Sequence, residues 1–224
     1  MFSFIRHVAL VLLPFFACAS SFAIDSKGAI IIANIVGKVE VVNNTTQVPL
    51  TPDKVKAGGI LFDGHTVKAS KASKAVLLMS SGTILTVREN SSVNLKKFAQ
   101  EPFKPGDKKL SELKNEPSPS ETIVEVEKGD LVFNIKKLDK KSNFDIESPL
   151  GTAGIRGTAG SAGTDKLTLT EGSIQMTPPG GGVPVSLGAG QTIAPSPGGG
   201  FNTQPASAEE MNSINADNAE AESS

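Results

Sequence analysis

The residue best suited to acid–base chemistry is His65, one of 2 histidines in the chain. A Ser-His-Asp hydrolase needs a histidine base beside a serine nucleophile. His65 lies in the run Phe62-Asp63-Gly64-His65-Thr66, which predicts a turn leading into a strand, and no Gly-x-Ser-x-Gly elbow accompanies it. We therefore rank a hydrolase that uses His65 third among the functional hypotheses and predict that the protein is not an enzyme.

Metal and cofactor sites have few side chains to draw on. The single cysteine, Cys18, and one of the two histidines lie in the N-terminal stretch that predicts a signal peptide. After cleavage His65 alone, without a thiol, does not furnish an ordinary transition-metal site. Asp63, Asp107 and Asp130 are suitable calcium ligands, but no loop has the alternating acidic spacing of a specific calcium site. We predict no metal and no cofactor.

The most distinctive motif is a run of small residues with glycine at every third position, Gly151-Thr-Ala-Gly-Ile-Arg-Gly-Thr-Ala-Gly160. A phosphate-binding loop would continue into a helix, and a P-loop would carry Lys-Ser or Lys-Thr, whereas Ser161-Ala162-Gly163-Thr164 follows here. Glycine allows close backbone approach, so the run predicts a tight place in a sheet. Arg156, its one long charged side chain, either bonds carbonyl or carboxylate groups of the fold or recognises an acid on a partner; we favour the structural role.

Short β-strands must position these residues. Segments rich in Val, Ile, Leu and Thr and bounded by turn residues predict strands at 29–35, 38–42, 75–79, 83–87, 92–95, 123–126, 131–135, 166–169 and 173–176. Gly37, Gly82, Gly129 and Gly172 open similar segments at separations of 45, 47 and 43 residues, a spacing that fits layered hairpins, or coincidence, better than a propeller. The prediction is an all-β fold, either a layered β-sandwich or a β-solenoid-like roll of short strands.

Several segments depart from this strand pattern. Thr51-Pro52-Asp53 predicts at most two helical turns, and 100–121 is a charged, Pro-rich insertion in which 107–114 favours a short helix. Pro195–Gly200 predicts a flexible linker. Beyond it lies a tail with five acidic and no basic residues, whereas the body has 21 basic and 18 acidic residues. In the tail, Ser207-Ala208-Glu209-Glu210 predicts a capped short helix, with disorder after Ala216.

The N-terminus predicts a signal peptide. Arg6 precedes the apolar stretch 8–17, which is too short to span a bilayer comfortably, and Ser21-Phe22-Ala23 predicts cleavage after Ala23. Two alternatives stay open: an acylated Cys18, although Phe15 stands where a lipoprotein signal has a Leu-like residue, and an uncleaved anchor. The predicted divisions are the signal peptide (1–23), an all-β domain (24–194) and a linker with the acidic tail (195–224), in a periplasmic or secreted protein.

Composition restricts the partners. The net charge is -1, which argues against a general nucleic-acid binder, and the absence of Trp and Tyr removes the rings on which sugars and single strands usually stack. The lysine pairs at 96–97, 108–109, 136–137 and 140–141 indicate either an anionic partner or, more commonly, a solvated face. Membrane association is expected only through a lipidated Cys18 or an uncleaved signal.

The order of the motifs resembles the FecR domain of bacterial envelope proteins. The resemblance spans roughly residues 30–193 and rests on Gly37–Val41, Gly59–Val67, Ala75–Leu77, Gly82–Leu85, Asn90–Val93, Ser148–Thr158, Glu171–Met176 and Leu187–Gln191. It implies an all-β, non-enzymatic module that faces the periplasm. In the founding members this module belongs to an inner-membrane regulator with a cytoplasmic anti-sigma segment, which receives a signal from an iron-siderophore receptor.

Two departures limit what the resemblance implies. Only seven residues precede the apolar stretch, too few for an anti-sigma segment, and Ala159-Gly160-Ser161-Ala162-Gly163 predicts a shortened or bulged strand where the family has a large apolar residue. We therefore expect a stand-alone exported module that binds another envelope protein, with Gly154, Ile155, Arg156, Gly157 and Thr158 as the candidate interaction motif. The alternative is a structural or surface-assembly component of the cell envelope.

Overall fold

The computed structural model describes residues 24, 26–104, 106, 109–197 and 200–224. The predicted signal peptide, its cleavage after Ala23 and Cys18 lie outside the described residues. The strands are β1 (Ile30–Val36), β2 (Val39–Asn43), β3 (Ile60–Leu61), β4 (His65–Ala69), β5 (Lys74–Met79), β6 (Ile84–Val87), β7 (Ser91–Gln100), β8 (Ser120–Lys128), β9 (Asp130–Asn134), β10 (Asn143–Ser148), β11 (Gly151–Gly154), β12 (Ala159–Gly163), β13 (Leu167–Glu171), β14 (Ser173–Thr177), β15 (Val185–Gly188), β16 (Gln191–Pro195) and β17 (Phe201–Pro205). A 3₁₀ helix spans Leu110–Glu112, and the helix α1 spans Ala208–Ser223.

The strands form two sheets. The nine-stranded sheet has the order β17-β16-β13-β12-β9-β6-β5-β1-β3, and the eight-stranded sheet has the order β15-β14-β11-β10-β8-β7-β4-β2. Strand neighbours are antiparallel except for β8 and β10, which run parallel. The prediction of a mainly β, layered fold is confirmed.

The chain passes repeatedly from one sheet to the other. From β4 onward it places one or two consecutive strands in one sheet and then crosses over. Gly37, Gly129 and Gly172 stand at such crossings with φ of 71°, 71° and 77°, in the left-handed region that favours glycine. Gly82 instead turns the β5–β6 hairpin within one sheet, so the regular glycine spacing reflects a succession of layered hairpins.

The apolar core lies between the two sheets. Inward-facing residues alternate along most strands, as in β8, and the largest fully buried side chains include Phe98, Phe133 and Phe144. This alternation follows from the two-residue period of a strand with one face in the core. Burial of aliphatic and phenyl groups therefore holds the sandwich together.

Two strands beside the candidate motif are missing from the strands predicted by residue type, although the family resemblance implied a shortened or bulged strand at Ala159–Gly163. β10 carries an alternating pattern in which Phe144 and Ile146 are buried, so its signal was present in the sequence. β12 consists of alanine, glycine and serine and is buried throughout between β9 and β13. Its register against β13 shifts between Ala159 and Gly160, which is the predicted bulge.

The segment after Thr51, for which at most two helical turns were predicted, contains hydrogen-bonded turns and no helix. Lys54 and Val55 both donate their backbone N–H groups to the carbonyl of Thr51. Gly58 and Gly59 then hydrogen-bond with Ile32 of β1. Gly59 also donates its N–H to the carbonyl of Lys56 at 2.8 Å, so the chain turns again and pairs with the sheet edge, and the short helix predicted here does not form.

The C-terminal segment is ordered, which corrects two interpretations. Where a flexible linker was predicted, β16 pairs with the antiparallel strand β17, and Ser196 donates its N–H to the carbonyl of Gly200 at 3.0 Å. The helix α1 continues through Ser223, so the prediction of disorder after Ala216 is wrong. Ser207 caps α1 as predicted, its side chain accepting a hydrogen bond from Glu210 N at 3.2 Å. The reason for the extra length is tertiary: α1 packs on the outer face of the nine-stranded sheet, where Ala221 contacts Val76 and Ile84.

Candidate interaction site at the Gly154–Thr158 corner

The candidate motif forms a crossing between the sheets. β11 ends at Gly154 in the eight-stranded sheet, and β12 begins at Ala159 in the nine-stranded sheet. Ile155 is buried in the core and donates its N–H to the carbonyl of Phe144 at 2.9 Å. Thr158 is also buried, and its carbonyl accepts the N–H of Ile135 at 3.0 Å. The corner is thus anchored at both ends, with Arg156 exposed between them.

Arg156 braces a neighbouring loop. Its Nη2 donates to the backbone carbonyls of Asp139 and Lys140, both at 3.2 Å. These contacts agree with the structural role favoured for this residue. The loop they hold, residues 136–141, contains four lysines and is called the lysine loop below.

Gly157 allows the corner to pack against the lysine loop. Its φ is +97°, and a Cβ at this position would lie 3.0 Å from Lys137 Cα. A larger residue would therefore combine left-handed strain with a backbone clash. Close packing against Lys137 therefore explains why the motif has glycine at position 157.

Glu116 holds the lysine loop from the other side. It comes from the connection between β7 and β8 and is only 9% exposed. Its carboxylate accepts hydrogen bonds from the hydroxyls of Ser120 and Ser142 and from the N–H of Asp139. Its own N–H donates to the carbonyl of Lys137 at 3.0 Å. Sequence analysis missed this residue because a glutamate in a charged, Pro-rich stretch gives no local sign of burial.

Two open clefts flank the corner. The first, of about 640 Å³, is lined by the corner itself, by Asn143 and by the start of β14. The second, of about 580 Å³, lies toward the lysine loop and brings Lys136 and Lys137 near Glu171. Beside the first cleft, burial raises the pKa of Asp145, although a hydrogen bond from Asn143 opposes the shift. The second cleft is mainly polar, which suits contact with polar or charged groups of a macromolecule, whereas the first is lined about equally by polar and apolar surface.

Asp107 lies outside the described residues, and among the residues that the structure describes the other candidates do not come together in a reactive site. His65 begins β4, and its Nδ1 donates to the carbonyl of Phe62 at 3.1 Å, the one hydrogen bond of that ring among the described residues. Within the described ranges, no group of three or more His, Cys, Asp or Glu side chains is placed to hold a metal ion. The described part of the chain also contains no helix long and apolar enough to cross a membrane.

The family comparison matches this region. The model of the family described as FecR protein matches residues 65–175. The chain contains a FecR domain. This FecR domain begins with β4, ends within β14 and includes the corner, the lysine loop and Glu116. The resembling motifs before residue 65 and after residue 175 lie outside the match, although the strands there complete both sheets.

Comparison with solved structures gives a more distant similarity. Two crystal structures of a protein from Parabacteroides distasonis described as a "putative anti-sigma factor", at 2.50 Å and 1.65 Å resolution, share 12% sequence identity with this chain. Their TM-scores are 0.47 and 0.48, and each match covers 66% of this chain and 62% of the other. This chain therefore aligns with less than two thirds of either solved chain. No curated protein matches the sequence.

Proposed function

We propose that this protein is an exported, non-enzymatic FecR-like module that acts in signalling by binding another protein of the cell envelope. The observation that carries the proposal is the corner of the FecR domain, where the motif Gly154–Thr158 holds the lysine loop at the surface. The lysine loop is held from two sides and adjoins two clefts, so this surface has a fixed shape, which favours specific contact over nonspecific charge attraction.

The lysine loop supplies positive charge that a partner would recognise. Lys140 and Lys141 are exposed, and Arg156 bonds the main chain of Lys140, not its side chain. Neither ammonium group pairs with a carboxylate of the described residues, so both can contact carboxylates on a partner while the loop keeps its position. Lysine heads at the rim of an interface mainly govern association rate and partner choice.

Affinity purification from envelope extracts tests the proposal. The full-length chain, expressed with a C-terminal tag, is expected to be recovered with one envelope protein at a fixed ratio. Lys140→Glu combined with Lys141→Glu reverses the charge of the loop without touching the braced backbone, and we expect it to lower recovery at least tenfold. Lys54→Glu combined with Lys56→Glu, in an exposed turn outside the FecR match, is the matched control and should leave recovery unchanged.

Two results would contradict the proposal. Equal recovery with the loop variant and the control variant would show that the corner does not contact the partner. Recovery of a self-assembled polymer of the chain would favour the structural alternative, a surface-assembly component. Cell fractionation of the same strain tests export, because a cytosolic chain cannot act as an envelope module.

A further inference from the structure

The helix α1 is held to the nine-stranded sheet by few apolar contacts. Of its 16 residues, the buried ones are Ile214, Asn218 and Ala221, and one of these three is polar. A helix that docks permanently usually buries a broad apolar stripe. The attachment of α1 must therefore rest largely on other interactions.

Four cations of the sheet supply these interactions. We call them the basic rim: Lys74 in β5, Arg88 after β6, Lys136 after β9 and Lys166 before β13. In the same order they pair with Glu220, Asp217, Glu222 and Glu210 of α1. Arg88 makes two contacts in its pair, with Nε and Nη2 at 2.7 Å and 2.6 Å from the same Asp217 oxygen. Every acidic group in these pairs keeps part of its side chain in solvent, so salt and competing carboxylates can reach them.

The sheet surface under α1 carries hydroxyl groups. Thr168 Oγ1 donates its proton to Glu210 and accepts a hydrogen bond from Thr192 Oγ1, both at 2.8 Å. Thr86 lies on the same side of β6 as Ile84 and is 2% exposed, yet its Oγ1 has no hydrogen-bond partner among the described residues. Buried hydroxyls normally find a partner. α1 therefore leaves part of the hydrogen-bonding capacity of this surface unused.

From this arrangement we infer that α1 is an exchangeable occupant of a binding face, and that the face takes an acidic helix of a partner protein once α1 leaves. The binding face is the outer surface of β5, β6, β9 and β13 together with the basic rim. Charge complementarity defines the partner: carboxylates spaced along one side of a helix to meet four cations, with small residues between them. The two-residue link Ala206–Ser207 between β17 and α1 allows the helix to swing away while both sheets stay intact. The inference does not rest on the proposed function, because the basic rim lies mostly outside the corner.

Release of α1 would also change the corner. Glu222 pairs with Lys136, which belongs to the lysine loop and lines the second cleft. Departure of the helix removes this carboxylate and leaves Lys136 free. A partner helix on the binding face would place a carboxylate beside Lys136 again. Lys136 therefore belongs to both the binding face and the lysine loop.

The test uses the full chain and a labelled peptide of residues 207–224 as the acidic helix. Asp217→Lys turns the Arg88 pair into a repulsion and should release α1. Glu209→Lys makes the same charge change at an exposed position and is the matched control. Glu210→Lys, opposite Lys166, provides a second releasing variant through a different ion pair. Hydrogen exchange reports on α1, with β5 and β6 amides as the check on folding, and fluorescence anisotropy reports peptide binding.

We expect α1 amides to exchange at least tenfold faster in the releasing variants than in the wild type or the Glu209→Lys control. The labelled peptide should bind the releasing variants at 50 mM NaCl, lose most of its binding at 500 mM NaCl, and bind the wild type at least tenfold more weakly. A released α1 without peptide binding would overturn the inference, as would an α1 that stays protected in both releasing variants. A wild-type dimer that exchanges α1 between copies would also overturn it, since a second copy would then be the occupant. The pull-down with the lysine-loop variant fails or succeeds independently of these measurements.

Discussion

Replacement of Gly160 by alanine should destabilise the protein because the new methyl group meets main chain. Gly160 lies in β12 opposite Leu169 of β13 and Phe133 of β9. An alanine Cβ would lie 2.3 Å from the carbonyl oxygen of Thr168, with Leu169 Cδ2 and Phe133 Cζ both at 3.1 Å. A backbone oxygen in the middle of a sheet cannot swing aside as a flexible side chain can.

The magnitude follows from the displacement that the methyl group requires. To restore an ordinary contact, β13 has to move by about 1 Å, and overpacking of this kind costs about 1–3 kcal/mol. Distortion of the adjacent ladder hydrogen bonds adds about 1 kcal/mol, which gives about 2–4 kcal/mol in total. With a urea m-value of about 2–3 kcal/mol/M, the unfolding midpoint should fall by about 1 M at unchanged m.

Gly154→Ala is the matched control within the same glycine run. A Cβ there would have Asp145 Oδ1 at 3.7 Å as its nearest neighbour, an ordinary contact, and the backbone lies outside the left-handed region. Alanine at such a position should change stability by less than about 1 kcal/mol, toward stabilisation, since it restricts the unfolded chain. The reasoning is refuted if urea unfolding gives the two variants the same midpoint, or if Gly160→Ala unfolds at the wild-type midpoint.

Three further predictions concern buried or paired carboxyl groups. Glu116→Ala leaves two serine hydroxyls and one N–H without their acceptor, so we expect a loss of about 2–3 kcal/mol in urea unfolding and faster exchange in the lysine loop. Asp130→Asn removes a carboxyl whose pKa is raised by burial; the wild type should lose stability, relative to the variant, as pH rises through that raised pKa. For Glu210, burial opposes the shift, but hydrogen bonds from Lys166 and Thr168 lower the pKa. Its contribution is present above the ordinary glutamate pKa and lost as pH falls through the lowered value, so Glu210→Gln should be less stable than the wild type at pH 7 and equal to it in strong acid.

Each of these predictions has a control or a contrary result. For Glu116, the control is Glu112→Ala in the exposed 3₁₀ helix, and equal losses in both variants would count against the buried role. For Asp130, a stability difference from Asn that does not vary with pH would contradict the assigned cause. For Glu210, a difference that persists unchanged at low pH would show that ionisation is not responsible. Thermal unfolding monitored by circular dichroism over pH 2–8 measures both pH profiles.

The sequence indicated the strands that bury branched aliphatic residues, because side-chain alternation is a local pattern that packing then uses. It also indicated the FecR resemblance and the tight passage at Gly151–Gly160. Residue types did not predict β12, since Ala-Gly-Ser-Ala-Gly has no strand preference of its own, and only the family resemblance implied a shortened or bulged strand there. β12 becomes a strand because β9 and β13 lie on either side and leave room only for small residues.

The length of α1 is a second feature that the sequence did not predict. The start of α1 depends on the local cap formed by Ser207 and Glu210, and the sequence predicted it. Its continuation past Ala216 depends on Arg88 and Lys74, which lie more than a hundred residues earlier in the chain. The opposite charges of the tail and the body were a usable sign of this contact.

By itself, the sequence determined the class of fold, the position of the glycine-rich corner and the scarcity of groups for catalysis, because each depends on residue type and short-range spacing. Only the tertiary structure decided that Arg156 and Glu116 hold one loop from two sides and that the acidic tail covers a basic face. Those contacts join residues far apart along the chain, and their partners are fixed by the packing of two sheets, which no local pattern specifies.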